Sequence, residues 1–186
     1  MDKFYDINSA NTNSENEEAK DNKISTPPKS PSRRIAEGAV IAVLYVVLTI
    51  LFAPISFSAV QVRVAEALSI LPLFTASAVP GLFIGCLIAN ILGGGILPDI
   101  IVGSLATLIG AAGGYLLRKN RWLVPIPSIL ANTVLIPPVL RYGYGVNMPI
   151  LLIAVYIAIG EIIGCYVLGE LLATILLPYR FRIFAE

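Results

Sequence analysis

Between Ser77 and Gly95 the chain places a small residue at every fourth position, Gly81, Gly85, Ala89 and Gly93, inside an otherwise apolar run. In water a glycine at each turn weakens a helix by about 1 kcal/mol per site. Between helices in lipid the same residues let backbones approach closely, and that packing drives association. The spacing returns at Ala106, Gly110 and Gly114, so the chain is constrained to close-packed membrane helices. Composition agrees: 56% of the 186 residues are hydrophobic and 13% are charged, with a mean hydropathy of +0.81. The expected fold is an all-α integral membrane protein, a six-helix transmembrane bundle.

Residues 1–33 differ from the rest. They are rich in Asn, Ser, Glu, Lys and Pro and carry half of the acids (Asp2, Asp6, Glu15, Glu17, Glu18, Asp21). Such a stretch buries too little apolar surface to offset the entropy of ordering, and we expect a disordered cytoplasmic tail; the less favoured alternative, given Ser30-Pro31, is a phosphorylatable interaction tail. Apolar runs and breakers then predict helices over residues 34–53, 61–73, 77–92, 98–117, 123–140 and 149–177. Together they make a membrane domain over 34–178, and 179–186 forms a short cytoplasmic end. The second helix is too short to cross alone, the fifth is interrupted by Pro125, Pro127, Pro137 and Pro138, and the sixth must tilt or protrude. Six spans place Arg33, Arg34, Arg118, Lys119, Arg121, Arg180 and Arg182 on one side and only Arg63 and Arg141 on the other. Basic loops are retained in the cytoplasm, so both termini are expected there, in a multi-pass protein of the plasma membrane. The loop 54–60, the glycine run and the loop 141–148 would then lie outside.

Several functions are disfavoured. There is no histidine, which removes the commonest general base, the usual nucleophile pairings and most zinc-enzyme sites. No catalytic residues and no metal site are expected, and the chain is not expected to be an enzyme. Cys86 and Cys165 lie in apolar segments, where thiols behave as small hydrophobes, and no disulfide is expected. A net charge of +1 offers no basic face for nucleic acid. No GxxxxGK[ST] phosphate loop occurs, so no cofactor is expected in this chain, and energy for uphill transport must come from a partner or an ion gradient.

Charges in lipid are costly and mark pathways or sites. On this topology Arg63, Glu66, Asn90, Asp99, Arg141, Tyr142, Tyr144 and Asn147 share the outward half, with Glu161 near the midplane. Arg63 and Glu66, one turn apart, are placed either to pair with each other or to meet a ligand. Asp99, after Pro98, suits a helix N-terminus or a ligand. Glu161 has no base within a turn. Glu170 falls on the opposite face from Glu161, and Asn132 reads as an interhelical hydrogen bonder. Phe57, Tyr142 and Tyr144 would stack on a planar ligand or anchor at the interface. Two bases against three acids leave a carboxylate surplus, suited to a cationic or donor-rich ligand. The small residues Ala36, Gly38, Ala39 and Ala42 form a face that either packs on another helix or docks a second membrane protein.

The runs QVRVAEALSILPLFTASAVPGLFIGCLIAN, PDIIVGSLATLIGA and GEIIGCYVLG resemble the queuosine-precursor transporter family, QueT. These are substrate-binding (S) components of energy-coupling factor (ECF) transporters. The resemblance covers nearly everything after residue 34 and implies a six-helix S component that captures 7-aminomethyl-7-deazaguanine from outside. Release would follow docking on a transmembrane coupling protein with two ATPases, so that ATP is used by partner subunits. An AxxxA pattern on the first helix serves docking in that group; here Gly38-x-x-x-Ala42, flanked by Ala36 and Ala39, stands in its place. The implied ligand has two adjacent N–H donors and an aminomethyl cation, suited to two carboxylates, with Glu66 and Glu161 the candidates. Arg63, Asn90, Asp99, Tyr142 and Asn147 complete the expected binding set. Alternatives are an S component for another vitamin or base, or a self-sufficient ion-coupled carrier in which Glu161 titrates.

Overall fold

The structure is a computed structural model and describes residues 30–52 and 63–184. The expected tail up to residue 29 and the loop 54–60, Phe57 included, lie outside the described residues. The described residues are helical almost throughout. The first helix, α1, runs Pro31–Leu51. It starts three residues earlier than the sequence suggested, because Ser30 accepts from the backbone N–H of Arg33 at 3.4 Å and Pro31 sits at the first helical position, a strong start signal. Ser30-Pro31 thus serves as a helix cap.

A 3-10 helix follows at Val64–Leu73, then α2 at Ala78–Leu92 and α3 at Leu97–Leu116. The fourth helix, α4, spans Arg121–Gly143, and α5 spans Ile150–Tyr179, with a last turn, α6, at Arg180–Ile183. Four helices, α1, α3, α4 and α5, are long and apolar enough to cross a membrane, whereas α2 and the 3-10 helix are shorter. Of the six expected spans, four correspond to helices long enough to cross among the described residues, and the other two correspond to shorter apolar helices.

The 3-10 helix is the centre of the bundle. It packs against α1, α2, α3 and α5, and every residue from Ala65 to Pro72 is buried. Its composition favours α-helix, so local propensity does not explain the overwound form. Its reach does: ten residues extend about 20 Å at the 3-10 rise of about 2.0 Å, against about 15 Å in an α-helix. The tighter winding lets a short piece run from one polar cluster down to Phe74 at the opposite, basic end.

The other helices pack in chain order, α1 on α2, α2 on α3, α3 on α4 and α4 on α5; α1 and α2 run parallel, Gly38 meeting Gly81 and Ala42 and Tyr45 meeting Gly85, because the 3-10 helix carries the chain back between them. The small-residue spacing supplies the first of these contacts. A Cβ added at Gly81 would lie 2.7 Å from the Gly38 carbonyl oxygen, and one at Gly85 would lie 2.7 Å from the Tyr45 Cβ and 3.0 Å from the Ala42 Cα. Gly38 and Ala42 are thus taken up against α2, which corrects their expected place on a docking face; Ala36 and Ala39 stay exposed. The physical reason is rotation: positions four apart share one face, and Gly38, Ala42 and Tyr45 lie on the inward one. Outward, the bundle shows Val40, Val43 and Val47 on α1, Ile101 and Leu105 on α3, and Leu151 and Val155 on α5, an apolar exterior suited to lipid.

The proline-rich α4 does not break. A 3-10 turn at Arg121–Leu123 leads into α-helix from Ile126 to Pro138, and a π turn follows at Val139–Gly143. Pro137 and Pro138 lack N–H donors, and the ladder resumes with a wider bond from Tyr144 N–H to Val139 O at 3.2 Å. Inside α5 a second π turn, Ile162–Leu168, follows Glu161.

Gly85→Ala is expected to lower the thermal midpoint of the detergent-solubilised chain, since overpacking costs about 1–3 kcal/mol. Ala39→Leu, on the exposed side of α1, should leave the midpoint unchanged. Equal shifts in the two variants would contradict the packing described.

Candidate functional site

Glu66 lies on the 3-10 helix at 1% exposure, in surroundings where an unpartnered carboxylate is prohibitively costly. Two elements reach for it. From α1 the Tyr45 hydroxyl donates to Oε1 at 2.6 Å, and from α5 the Cys165 Sγ approaches Oε2 at 3.9 Å. The same Sγ donates to Glu161 Oε2 at 3.0 Å, so the thiol sits between two carboxylates. Glu161 and Cys165 are four residues apart across the start of the π turn, a spacing that puts both on one face. Gly164 is what lets α5 come this close: a Cβ there would lie 2.9 Å from the Arg63 carbonyl oxygen.

One oxygen each of Glu66 and Glu161 and the Cys165 sulfur all lie within 4.8 Å of one another. Two full negative charges at that separation would repel by roughly 3 kcal/mol at an effective dielectric constant of about 20. A cation or a set of N–H donors placed between them removes that repulsion. Carboxylate and thiolate are also donor types that bind divalent metals, so this trio could hold a metal ion, although the sequence led us to expect no metal site. Around it stand two more buried polar groups. Ser69 lies beside Cys165 and Asn132, from α4, beside Glu161; the Ser69 hydroxyl and the Asn132 Nδ2 have no hydrogen-bond partner among the described residues.

Asp99 is not in this group. It sits in the first turn of α3, accepts at Oδ2 from the Tyr144 hydroxyl at 2.8 Å, and leaves Oδ1 without a partner among the described residues. Tyr144 accepts in turn from the Ile96 N–H at 3.3 Å. Asn90 belongs to the same neighbourhood. A Cβ on Gly103 would lie 3.1 Å from Asn90 Nδ2 and 3.7 Å from Asp99 Oδ1, so this glycine keeps a gap open between the two side chains. Asn90 Nδ2 also donates to Cys86 Sγ at 3.5 Å.

Arg63 is within electrostatic reach of both clusters, acting on Glu66 and Asp99 alike. Its placement to pair with Glu66 is not realised: among the described residues no carboxylate oxygen comes within 4.0 Å of it. Arg63 is the extended N-cap of the 3-10 helix, with φ −84° and ψ 103°, so the two residues do not stack as successive turns of one helix would.

Of the expected binding residues, then, Glu66 and Glu161 converge, Asn90 and Asp99 form a second cluster, and Arg63 stands by both. Tyr142 is 77% exposed and turned away. Asn147 is exposed, where its Oδ1 accepts from Arg141 at 3.3 Å. Arg141 also donates to the carbonyls of Val146 and Met148, so it closes its own loop. Glu170 is held at the opposite end by Arg121 at 2.7 Å, apart from Glu161. Sequence reading missed Tyr45 and Cys165. Cys165 had a signal in its spacing from Glu161, whereas Tyr45 sits in an apolar run with nothing local to mark it.

The sequence model of one protein family, described as QueT transporter, matches residues 35–178. The queuosine precursor transporter QueT of Lactococcus lactis subsp. cremoris (strain MG1363) is 37% identical over 91 residues, which are 48% of this chain and 53% of that protein. The chain thus spans about half the length of this curated relative. No solved structure matches.

Burial raises the Tyr144 phenol above its ordinary value of 10.0, and its bond to Asp99 acts in the same direction. A raised folded-state value means that the phenol's contribution to stability is full below pH 10 and is lost as the pH climbs through the raised value. The wild-type chain should therefore be more heat-stable than Tyr144→Phe at pH 7 to 9, with the gap closing above pH 10. Thermal scans of both across that range check it, and a pH-independent gap would contradict it. Tyr45→Phe takes the donor from Glu66 and should destabilise by about 1–3 kcal/mol, read as a lower midpoint in the same assay.

Proposed function

The chain belongs to the QueT transporter family, and from that membership we propose that it is the substrate-binding (S) component of an ECF transporter importing a queuosine precursor. The observation that carries this reading is the meeting of Glu66 and Glu161, from separate helical elements, at a thiol that bonds to one and approaches the other. A 7-aminomethyl-7-deazaguanine offers two adjacent N–H donors on its guanine-like edge and a cation on its aminomethyl group. Each can be met by one carboxylate. Asn132 and Ser69, beside the carboxylate pair with hydrogen-bonding capacity to spare, suit the remaining heteroatoms. Asn90 and Asp99 form a second polar wall.

Six helical segments, four of them long enough to span, accord with a six-helix S component. The basic residues Arg33, Arg34, Arg118, Lys119, Arg121 and Arg180 at one end favour that end, with both termini, inside the plasma membrane. Without a nucleotide site of its own the chain would work with a transmembrane coupling protein and two ATPases. The exposed face of α1, where Ala36 and Ala39 stand beside Val40 and Val43, is the docking surface in this reading.

Calorimetric titration of 7-aminomethyl-7-deazaguanine into the purified chain tests the proposal. Removing one partner of a buried charge pair costs about 2–5 kcal/mol, so Glu161→Gln and Glu66→Gln should each weaken binding by roughly 30-fold or more. Unaltered affinity in both variants would remove the carboxylate pair from the site. Uptake by liposomes holding this chain alone, driven by a pH gradient, would favour an ion-coupled carrier instead.

A further inference from the structure

We propose that Glu66, Glu161 and Cys165 form a site for one thiophilic divalent ion of the zinc class, taken up in place of the organic ligand. The metal site stands on its own geometry; only the exclusion of the ligand rests on the substrate reading above. Ligand atoms on a tetrahedral zinc, at about 2.0–2.2 Å for oxygen and about 2.3 Å for sulfur, lie about 3.4–3.6 Å from one another. The Cys165 Sγ stands 3.0 Å from Glu161 Oε2 and 3.9 Å from Glu66 Oε2, one distance on each side of that range. Shifts of roughly half an ångström gather the three on one ion. Among the described residues no other trio of acidic and thiol side chains comes together in this way.

The groups around the trio support the same reading. The Tyr45 hydroxyl holds Glu66 Oε1 at 2.6 Å and leaves Oε2 toward the sulfur; bonds of this kind orient metal ligands. The Ser69 hydroxyl, at 3% exposure beside Cys165, has no hydrogen-bond partner among the described residues. It faces the fourth position of a tetrahedral ion, as a ligand or through a water. Asn132 Nδ2, equally unpartnered beside Glu161, is placed to fix that carboxylate. Charge closes too. Two carboxylates and a thiolate exceed the charge of a dication by one, and Arg63, within electrostatic reach of Glu66, offsets it. Binding releases the thiol proton to solvent as the sulfur–metal bond forms. A thiolate with two carboxylate oxygens selects zinc or cadmium over magnesium and calcium, which take about six to eight oxygens.

Cadmium titration of the purified full chain, stripped with chelator and carrying no histidine tag, tests this through the near-ultraviolet charge-transfer band of a thiolate bound to cadmium. The chain has two cysteines and no histidine, so the band has two possible sources. It should saturate at one ion per chain, persist in Cys86→Ser and vanish in Cys165→Ser. Zinc should displace cadmium; a large excess of magnesium or calcium should not. Losing a group that only supports a ligand costs about 10–100-fold in metal affinity, so Glu161→Gln should weaken cadmium at least about tenfold. Absence of the band in the wild-type chain overturns the proposal before any variant is made. So does a band that survives Cys165→Ser, and so does displacement by magnesium. Cys86→Ser, which leaves the trio intact, decides the source if Cys165→Ser fails to fold. Calorimetric binding of 7-aminomethyl-7-deazaguanine should weaken as cadmium fills the site. A band with ligand affinity unchanged upholds the metal site and removes the organic ligand from these carboxylates. Ligand binding with no band overturns the metal site and leaves the substrate reading standing.

Discussion

A carboxylate sunk in the middle of an apolar bundle must be met by donors, and the way Glu66 is met organises the protein. Its hydrogen bond from Tyr45 ties the 3-10 helix to α1. Its approach to Cys165, which itself donates to Glu161, ties the same helix to α5. Moving any of these three elements by more than about an ångström would leave a buried polar group unsatisfied, at a cost of about 1–3 kcal/mol against a typical domain stability of about 5–15 kcal/mol. The core here is therefore defined by a polar contact as much as by apolar packing.

The irregular helices follow from the same demand. An α-helix over Val64–Leu73 would be too short to reach from Glu66 to the basic end, and the stretched 3-10 form makes up the distance. The π turn after Glu161 lies where α5 must present Glu161 and Cys165 to the 3-10 helix, and Gly164 removes the side chain that would block the approach. Such turns are frequent at functional sites. The other π turn, after Pro137 and Pro138, leads into the loop that delivers Tyr144 to Asp99. Departures from regular geometry thus fall beside the two polar clusters.

The two ends of the bundle are chemically opposite. One carries acids in excess, with Glu66, Asp99 and Glu161 around Arg63, and Arg141 spent on its own loop. The other carries bases, with Glu170 and Glu37 paired to Arg121 and Arg33. A cationic, donor-bearing solute is drawn to the first and repelled by the second, the polarity expected of a chain in a transporter family.

The sequence alone determined the membrane setting, the number and rough limits of the helical segments, and which residues would be costly in lipid. These depend on composition, on breakers and on the four-residue spacing, all of which act locally. It marked Glu66 and Glu161 because a carboxylate in an apolar run is conspicuous whatever surrounds it. Only the tertiary structure decided that these two meet while Asp99 does not, that Tyr45 and Cys165 complete the cluster, and that Gly38 and Ala42 face α2 instead of a partner. Those outcomes turn on the rotation of each helix and on its winding, and a change from 3.6 to 3.0 residues per turn redirects side chains without changing one letter of the sequence.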